Sequence, residues 1–130
     1  MTSSPLPTFT ARTVAGRGRG RLIGIPTINL QLADVPQTMQ QGIYACTVSW
    51  QGVKDLKAVV HYGPRPVFQD SISFEVHLLE KQIEGAPEQM TITLWQCLRE
   101  VRDFPSVDAL KQQIALDIAQ ARSALERRPR

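Results

Sequence analysis

The chain has 130 residues, of which 42% are hydrophobic and 21% charged, a balance that suits one folded domain and not a disordered segment. Its net charge is +3, no apolar run approaches the ~20 residues of a membrane-spanning helix, and the opening MTSSPLPTFTART lacks the apolar core of a secretory signal. Cys46 and Cys97 are its only cysteines and His61 and His77 its only histidines, which argues against a disulfide scaffold, a cysteine zinc site or a His-rich metal centre. Chemistry must then come from carboxylates, hydroxyls, amides and backbone groups.

Residues 1–7 carry two prolines and two serines and read as a loose lead-in. Phe9 to Val14 reads as a first short strand. A Gly/Arg loop follows over 15–26, with Arg17, Arg19 and Arg21 interleaved among Gly16, Gly18 and Gly20. With Arg12, and with no Asp or Glu before Asp34, this is a cationic segment suited to a nucleotide phosphate or a nucleic acid. Ile25 precedes Pro26 and is pushed out of the helical region, so Thr27 to Leu32 reads as extended. Asp34 to Gln41 reads as a loop.

Gly42 to Trp50 alternates as a strand, with Tyr44, Cys46, Val48 and Trp50 on one face. Gln51-Gly52 reads as a hairpin turn, and Leu56 to Tyr62 as the returning strand, stopped by Gly63-Pro64-Arg65-Pro66. Ser71 to Leu79 alternates most cleanly: Ile72, Phe74, Val76 and Leu78 share one face, and Ser73, Glu75 and His77 the other. After a charged connection over 80–88, Met90 to Leu98 forms a further strand. One helix closes the chain, capped by Ser106, with Val107, Leu110, Ile114, Ile118, Ala121 and Leu125 as its apolar stripe. Arg127, Arg128 and Arg130 form a basic tail that reads as frayed. Several antiparallel strands and a single helix are best accommodated by a small closed barrel with the helix on its side.

Two places could carry chemistry. Gly20, Arg21, Gly24 and Pro26 lead into Thr27 and Asn29, which project to one side of an extended segment as hard oxygen donors. The segment suits phosphates and magnesium, or is simply a Gly-rich surface loop; it is no P-loop, since GxxxxGK[ST] is absent. Glu75, on a strand with an apolar opposite face, is either a general base towards a hydroxyl or a solvated surface charge. Arg99, after the Met90–Leu98 strand, is either a rim cation meeting a ligand or ordinary surface charge.

These residues carry a resemblance. Gly20-Arg21 through Pro26-Thr27-Ile28-Asn29-Leu30 resembles the phosphate-side signature of the riboflavin kinases, whose segment reads PTAN where this chain has Pro26 to Asn29. Gly42-Ile43-Tyr44-Ala45 is similar to the family's GVYA strand, Gly63-Pro64-Arg65-Pro66-Val67-Phe68 to its PTF turn, and Glu75-Val76-His77-Leu78-Leu79 to EVHLL. Leu98-Arg99 through Phe104, then Ser106, Leu110, Ile114 and Asp117-Ile118, follows its ending. The match runs from about Phe9 to Ala124.

The resemblance implies a mainly β fold: a six-stranded antiparallel Greek-key barrel with a C-terminal helix. It implies transfer of the ATP γ-phosphate to the ribityl 5′-hydroxyl of riboflavin, giving FMN and ADP. Thr27 and Asn29 would hold Mg2+ and phosphates, and Gly20, Arg21, Gly24 and Pro26 would form the phosphate-side loop. Glu75 would be the base, and Arg99 would meet the flavin. A monomeric, cytoplasmic, monofunctional enzyme follows, without the adenylyltransferase domain often fused to bacterial members, and with neither membrane nor nucleic acid as a partner. Three departures stand out: Ile28 for a small Ala, Val67 for a Thr, and Ile83-Glu84-Gly85 for LYG. They motivate an alternative, a weakened relative that binds flavin or nucleotide without turnover. A third reading, from another class, is an RNA-binding module that uses the Arg-Gly arm.

Overall fold

A computed structural model of the chain describes residues 6–14, 27–64, 72–81, 83 and 85–128. Six strands form a closed barrel: β1 (Thr8–Val14), β2 (Ile28–Leu30), β3 (Gly42–Trp50), β4 (Val53–Pro64), β5 (Ile72–Leu78) and β6 (Gln89–Arg99). The spatial order is β1-β2-β5-β4-β3-β6, and every neighbouring pair is antiparallel. β3, β4 and β5 form a meander and β6 returns beside β3, which is a Greek key. One helix, α1 (Val107–Glu126), follows.

The period-2 alternation sorts side chains between the barrel's inside and outside. Leu30, Cys46, Val48, Val60, Phe74, Val76, Met90 and Ile92 fill the interior. Phe74 is fully buried there, with the Phe9 ring edge-on at 5.7 Å. A second cluster lies outside the barrel, where Ile43, Ala45 and Val59 meet Ala121, Ala124 and Leu125 of α1. This explains why β3 is apolar on both faces near its start: one face lines the barrel and the other is covered by the helix. Ser106 caps α1 by accepting a hydrogen bond from the Ala109 N–H at 3.1 Å.

The structure departs from the sequence reading in several places. β2 ends at Leu30, and Leu32–Asp34 forms a short 3-10 turn. That turn presents Asp34 to Arg12, whose Nε and Nη2 donate to the carboxylate at 2.9 and 3.1 Å. Arg12 is therefore neutralised and does not belong to a free cationic arm. β4 is longer than expected and includes Pro64, which occupies its last position opposite Ile72, where little ladder remains to disturb. Gly63 sits at φ +147°, and a Cβ there would come within 2.9 Å of Val101 Cγ2, so the segment after β6 packs tightly on β4. β6 carries two bulges, at Trp95 and Leu98, read from its register with β3. At the chain end Arg128 lies over the Trp95 ring, 5.8 Å from its centroid.

Candidate functional site

Glu75 occupies the middle of β5, opposite Asn29 of β2 on one side and His61 of β4 on the other. Residues directly opposite in a ladder share a face, so all three lie on the barrel's outer wall. The Glu75 side chain is only 12% exposed, so it is not a solvated surface charge. Thr27, just before β2, donates its hydroxyl to Glu75 Oε1 at 3.0 Å, and Ser73 Oγ donates to Oε2 at 3.0 Å. His61 Nδ1 lies 4.0 Å from Oε2. Thr27 and Asn29, paired by their spacing, and Glu75, from a different strand, thus meet at one place.

The local chain explains the arrangement. β2 is only three residues long and lies against β5, so its alternation directs Asn29 to the Glu75 face while Ile28 and Leu30 pack on the barrel core. Ile28 lies on the opposite face of the strand from Asn29, and it also lines the groove that Thr27 borders. Gly20, Arg21, Gly24 and Pro26, and also Val67, lie outside the described residues. The stems of the 15–26 segment are nevertheless held together: Val14 pairs with Asn29, Thr13 with Leu30, and the Gln31 N–H donates to the Arg12 carbonyl at 2.8 Å.

Two depressions flank Glu75. A groove of about 460 Å3 is lined by Thr27, Ile28, His77, Leu79, Lys81 and Ile83, among others. A smaller one, about 200 Å3, is bounded by Asn29, Ser73, Ile72 and Leu32. Among the described residues no three of His, Cys, Asp or Glu gather as a metal cage. The donors on offer are a hydroxyl and an amide beside one carboxylate, a hard-oxygen set that suits magnesium held mainly by phosphates and water.

Arg99 stands elsewhere on the same wall. The register continues from Glu75 to His61, from His61 to Ile43, and from Ile43 to Arg99, so one cross-strand row joins them. Three strand spacings of ~4.8 Å put Arg99 roughly 14 Å from Glu75 along the wall. Arg99 forms a two-pronged ion pair with Asp117 of α1, both contacts at 2.8 Å, and its Nη1 donates to the Glu100 carbonyl. Its guanidinium also lies 5.6 Å from the Phe104 centroid. Three of its five N–H groups are thereby committed to partners among the described residues.

Three neighbours escaped the sequence reading as members of these clusters. His61 and Ser73 face Glu75, and Asp117 holds Arg99. Ser73 was within reach, because it shares the outer face of β5 with Glu75. His61 and Asp117 become neighbours only through strand register and helix docking.

Comparison with known proteins returns a family model, Flavokinase (riboflavin kinase), that matches residues 6–125. The bifunctional riboflavin kinase/FMN adenylyltransferase of Escherichia coli K12 is 35% identical over 115 residues, covering 88% of this chain and 36% of that protein. The chain thus spans about a third of the length of its bacterial bifunctional relatives. Human riboflavin kinase is 32% identical over 128 residues, covering 93% of this chain and 83% of that protein. Among solved structures, a crystal structure of a macrolide-efflux protein from Streptococcus pneumoniae superposes with a TM-score of 0.76 at 28% identity, over 92% of this chain and 39% of that one.

Proposed function

The chain belongs to the riboflavin kinase family, and on that premise we propose that it transfers the γ-phosphate of ATP to the ribityl 5′-hydroxyl of riboflavin, giving FMN and ADP. The observation that carries this reading is the convergence of Thr27, Asn29 and Glu75 on one partly buried spot of the outer wall.

Phosphoryl transfer asks a protein for positioning and charge neutralisation more than for covalent chemistry. The Thr27 hydroxyl and the Asn29 amide oxygen are the residues that would hold Mg2+, which when bound neutralises triphosphate charge and orients the γ-phosphoryl group. Thr27 can offer a lone pair outwards while its O–H points at Glu75 Oε1, so the donor and the base are fixed relative to each other. Glu75 Oε2 accepts the proton of the 5′-hydroxyl as the new O–P bond forms and the bond to ADP breaks. The groove beside Thr27 suits the nucleoside end of the triphosphate, with Ile28, Leu79, Glu80, Lys81 and Ile83 in its lining. Arg99, held by Asp117, faces the flavin end of the row.

Free Cys46 and Cys97 accord with a reducing, cytoplasmic setting. Among the described residues no helix is long and apolar enough to cross a membrane.

Incubation with riboflavin, ATP and magnesium tests the reading: FMN and ADP should form in equal amounts. Tight binding of flavin with no FMN formed would replace it with the weakened relative. RNA affinity that falls steeply with salt would replace it with the nucleic-acid module.

A further inference from the structure

Resting on the riboflavin kinase reading, we propose that Asp117 and Gln113 of α1 are positioning residues for Arg99: they fix its guanidinium on the barrel wall before a flavin arrives and so set how tightly the flavin binds. The contacts form a continuous chain. Arg99 Nε and Nη2 donate to the two oxygens of Asp117, each at 2.8 Å. Gln113, one helical turn earlier, donates from Nε2 to Asp117 Oδ1 at 3.0 Å and accepts at Oε1 from Arg102 Nη2 at 2.8 Å. The guanidinium groups of Arg99 and Arg102 lie 5.6 and 4.9 Å from the Phe104 ring centroid. One set of side chains thus joins the end of β6, the connection that follows it and α1.

Asp117 is buried on the same side of α1 as Leu110, Ala121 and Ala124, where an apolar residue would ordinarily stand. An ion pair this dry adds little stability over two well-packed apolar side chains. Apolar side chains, however, cannot hold a planar cation at a defined angle. A two-pronged carboxylate contact fixes both the place and the plane of a guanidinium, and Gln113 fixes that carboxylate in turn. Arg99 gives up its rotational freedom when the protein folds, so a ligand that meets it need not restrain it.

The row of register partners says which ligand feels this. Arg99 ends the row that runs from Glu75 through His61 and Ile43, roughly 14 Å along the wall. With the 5′-hydroxyl at Glu75, a ribityl chain lying along this row carries the fused rings towards Arg99. Thr27 and Asn29, assigned to magnesium and phosphate, lie at β2, on the other side of β5 in the same row. Loosening Arg99 should therefore weaken the flavin and leave the nucleotide alone.

The first test is direct binding, which needs no turnover. Gln113→Leu removes both hydrogen bonds from a half-buried position and leaves the Arg99 and Asp117 charges in place. Riboflavin fluorescence titration should show its Kd raised about 3–10-fold, while the Kd for magnesium-ATP, measured by calorimetry, stays within about twofold. Asp117→Asn keeps the shape, loses the charge and should raise the riboflavin Kd further; should it fold poorly, Gln113→Leu decides alone. An unchanged riboflavin Kd in Gln113→Leu overturns the proposal. An equal loss of both affinities also overturns it, because a merely structural role weakens both.

The second test asks whether Gln113 acts through the pair. In the Arg99→Met, Asp117→Leu background, adding Gln113→Leu should leave the riboflavin Kd within about twofold. An increase as large as in the wild type overturns the positioning role. A wild type that binds riboflavin but forms no FMN with magnesium-ATP overturns the kinase reading, and the same comparison of Kd values still decides the role of Gln113 and Asp117. A wild type that binds no riboflavin overturns both.

Discussion

Thr27 and Glu75 share one hydrogen: the Thr27 hydroxyl donates to Glu75 Oε1 at 3.0 Å. The residue assigned to the metal and the residue assigned to the proton are therefore tied together before any ligand arrives.

The two substitutions differ in what they should move, the proton step for one and the metal dependence for the other. Glu75→Gln keeps size and shape but cannot take a proton, so kcat should fall about 10²–10⁴-fold with little change in melting temperature. Steady-state kinetics with a thermal melt of the same preparation decides it. Full activity in the folded variant would remove Glu75 from the base role.

Thr27→Val keeps the branched shape and removes the oxygen. Loss of a directly placed donor should raise the magnesium concentration for half-maximal activity about 10–100-fold. An activity titration against magnesium at fixed ATP measures this, and an unmoved midpoint would take Thr27 out of the metal site.

The barrel was legible in the sequence because alternation reports burial. Phe74 and Val76 against Ser73, Glu75 and His77 already separated the inside of β5 from its outside. The same period of two placed Thr27 and Asn29 together. What alternation cannot give is which strand lies beside which. His61 reaches Glu75 only because β4 and β5 pair in one register, and Asp117 reaches Arg99 only because α1 docks on β3. Asp117 also stood within the apolar stripe of α1, where periodicity alone marks it as an exception without naming its partner.

The Arg99–Asp117 pair joins the last strand to the helix and is nearly dry, with Asp117 4% exposed and Arg99 17%. Gln113 Nε2 adds a hydrogen bond to Asp117 Oδ1 at 3.0 Å. Removing one partner strands the other charge, so Asp117→Ala should cost roughly 3–5 kcal/mol. The double change Arg99→Met with Asp117→Leu should cost less than Asp117→Ala alone, because no buried charge is left behind. Urea unfolding of the single and double variants provides the cycle.

Arg12 and Asp34 give an acid-side prediction. Hydrogen bonds from the Arg12 side chain, and then from its backbone N–H, hold the Asp34 carboxyl below the usual carboxylate range. A depressed folded-state pKa means that the stabilisation is complete above the ordinary aspartate value and is lost as pH falls through the lowered one. Asp34→Asn should therefore lower the melting temperature at pH 7, and the gap to wild type should begin to narrow below about pH 4 and go on closing as the pH falls further. A gap that stays constant with pH would assign the effect to something other than ionisation.

Gly63 is the position where backbone and packing make the same demand. Its φ of +147° is open to glycine and costly to other residues, and an added Cβ would meet Val101 Cγ2 at 2.9 Å. Val101 follows Arg99 and packs on the helix-side cluster, while Gly63 pairs with Ser73, which holds Glu75 Oε2. Gly63→Ala should thus destabilise the fold by about 1–3 kcal/mol and also reduce kcat. Adding Val101→Ala relieves the contact but not the dihedral strain, so it should restore part of the loss and not all of it. Unfolding free energies for the two variants separate these contributions: complete restoration would show that the backbone carries no strain, and none would show that Val101 is not the obstacle.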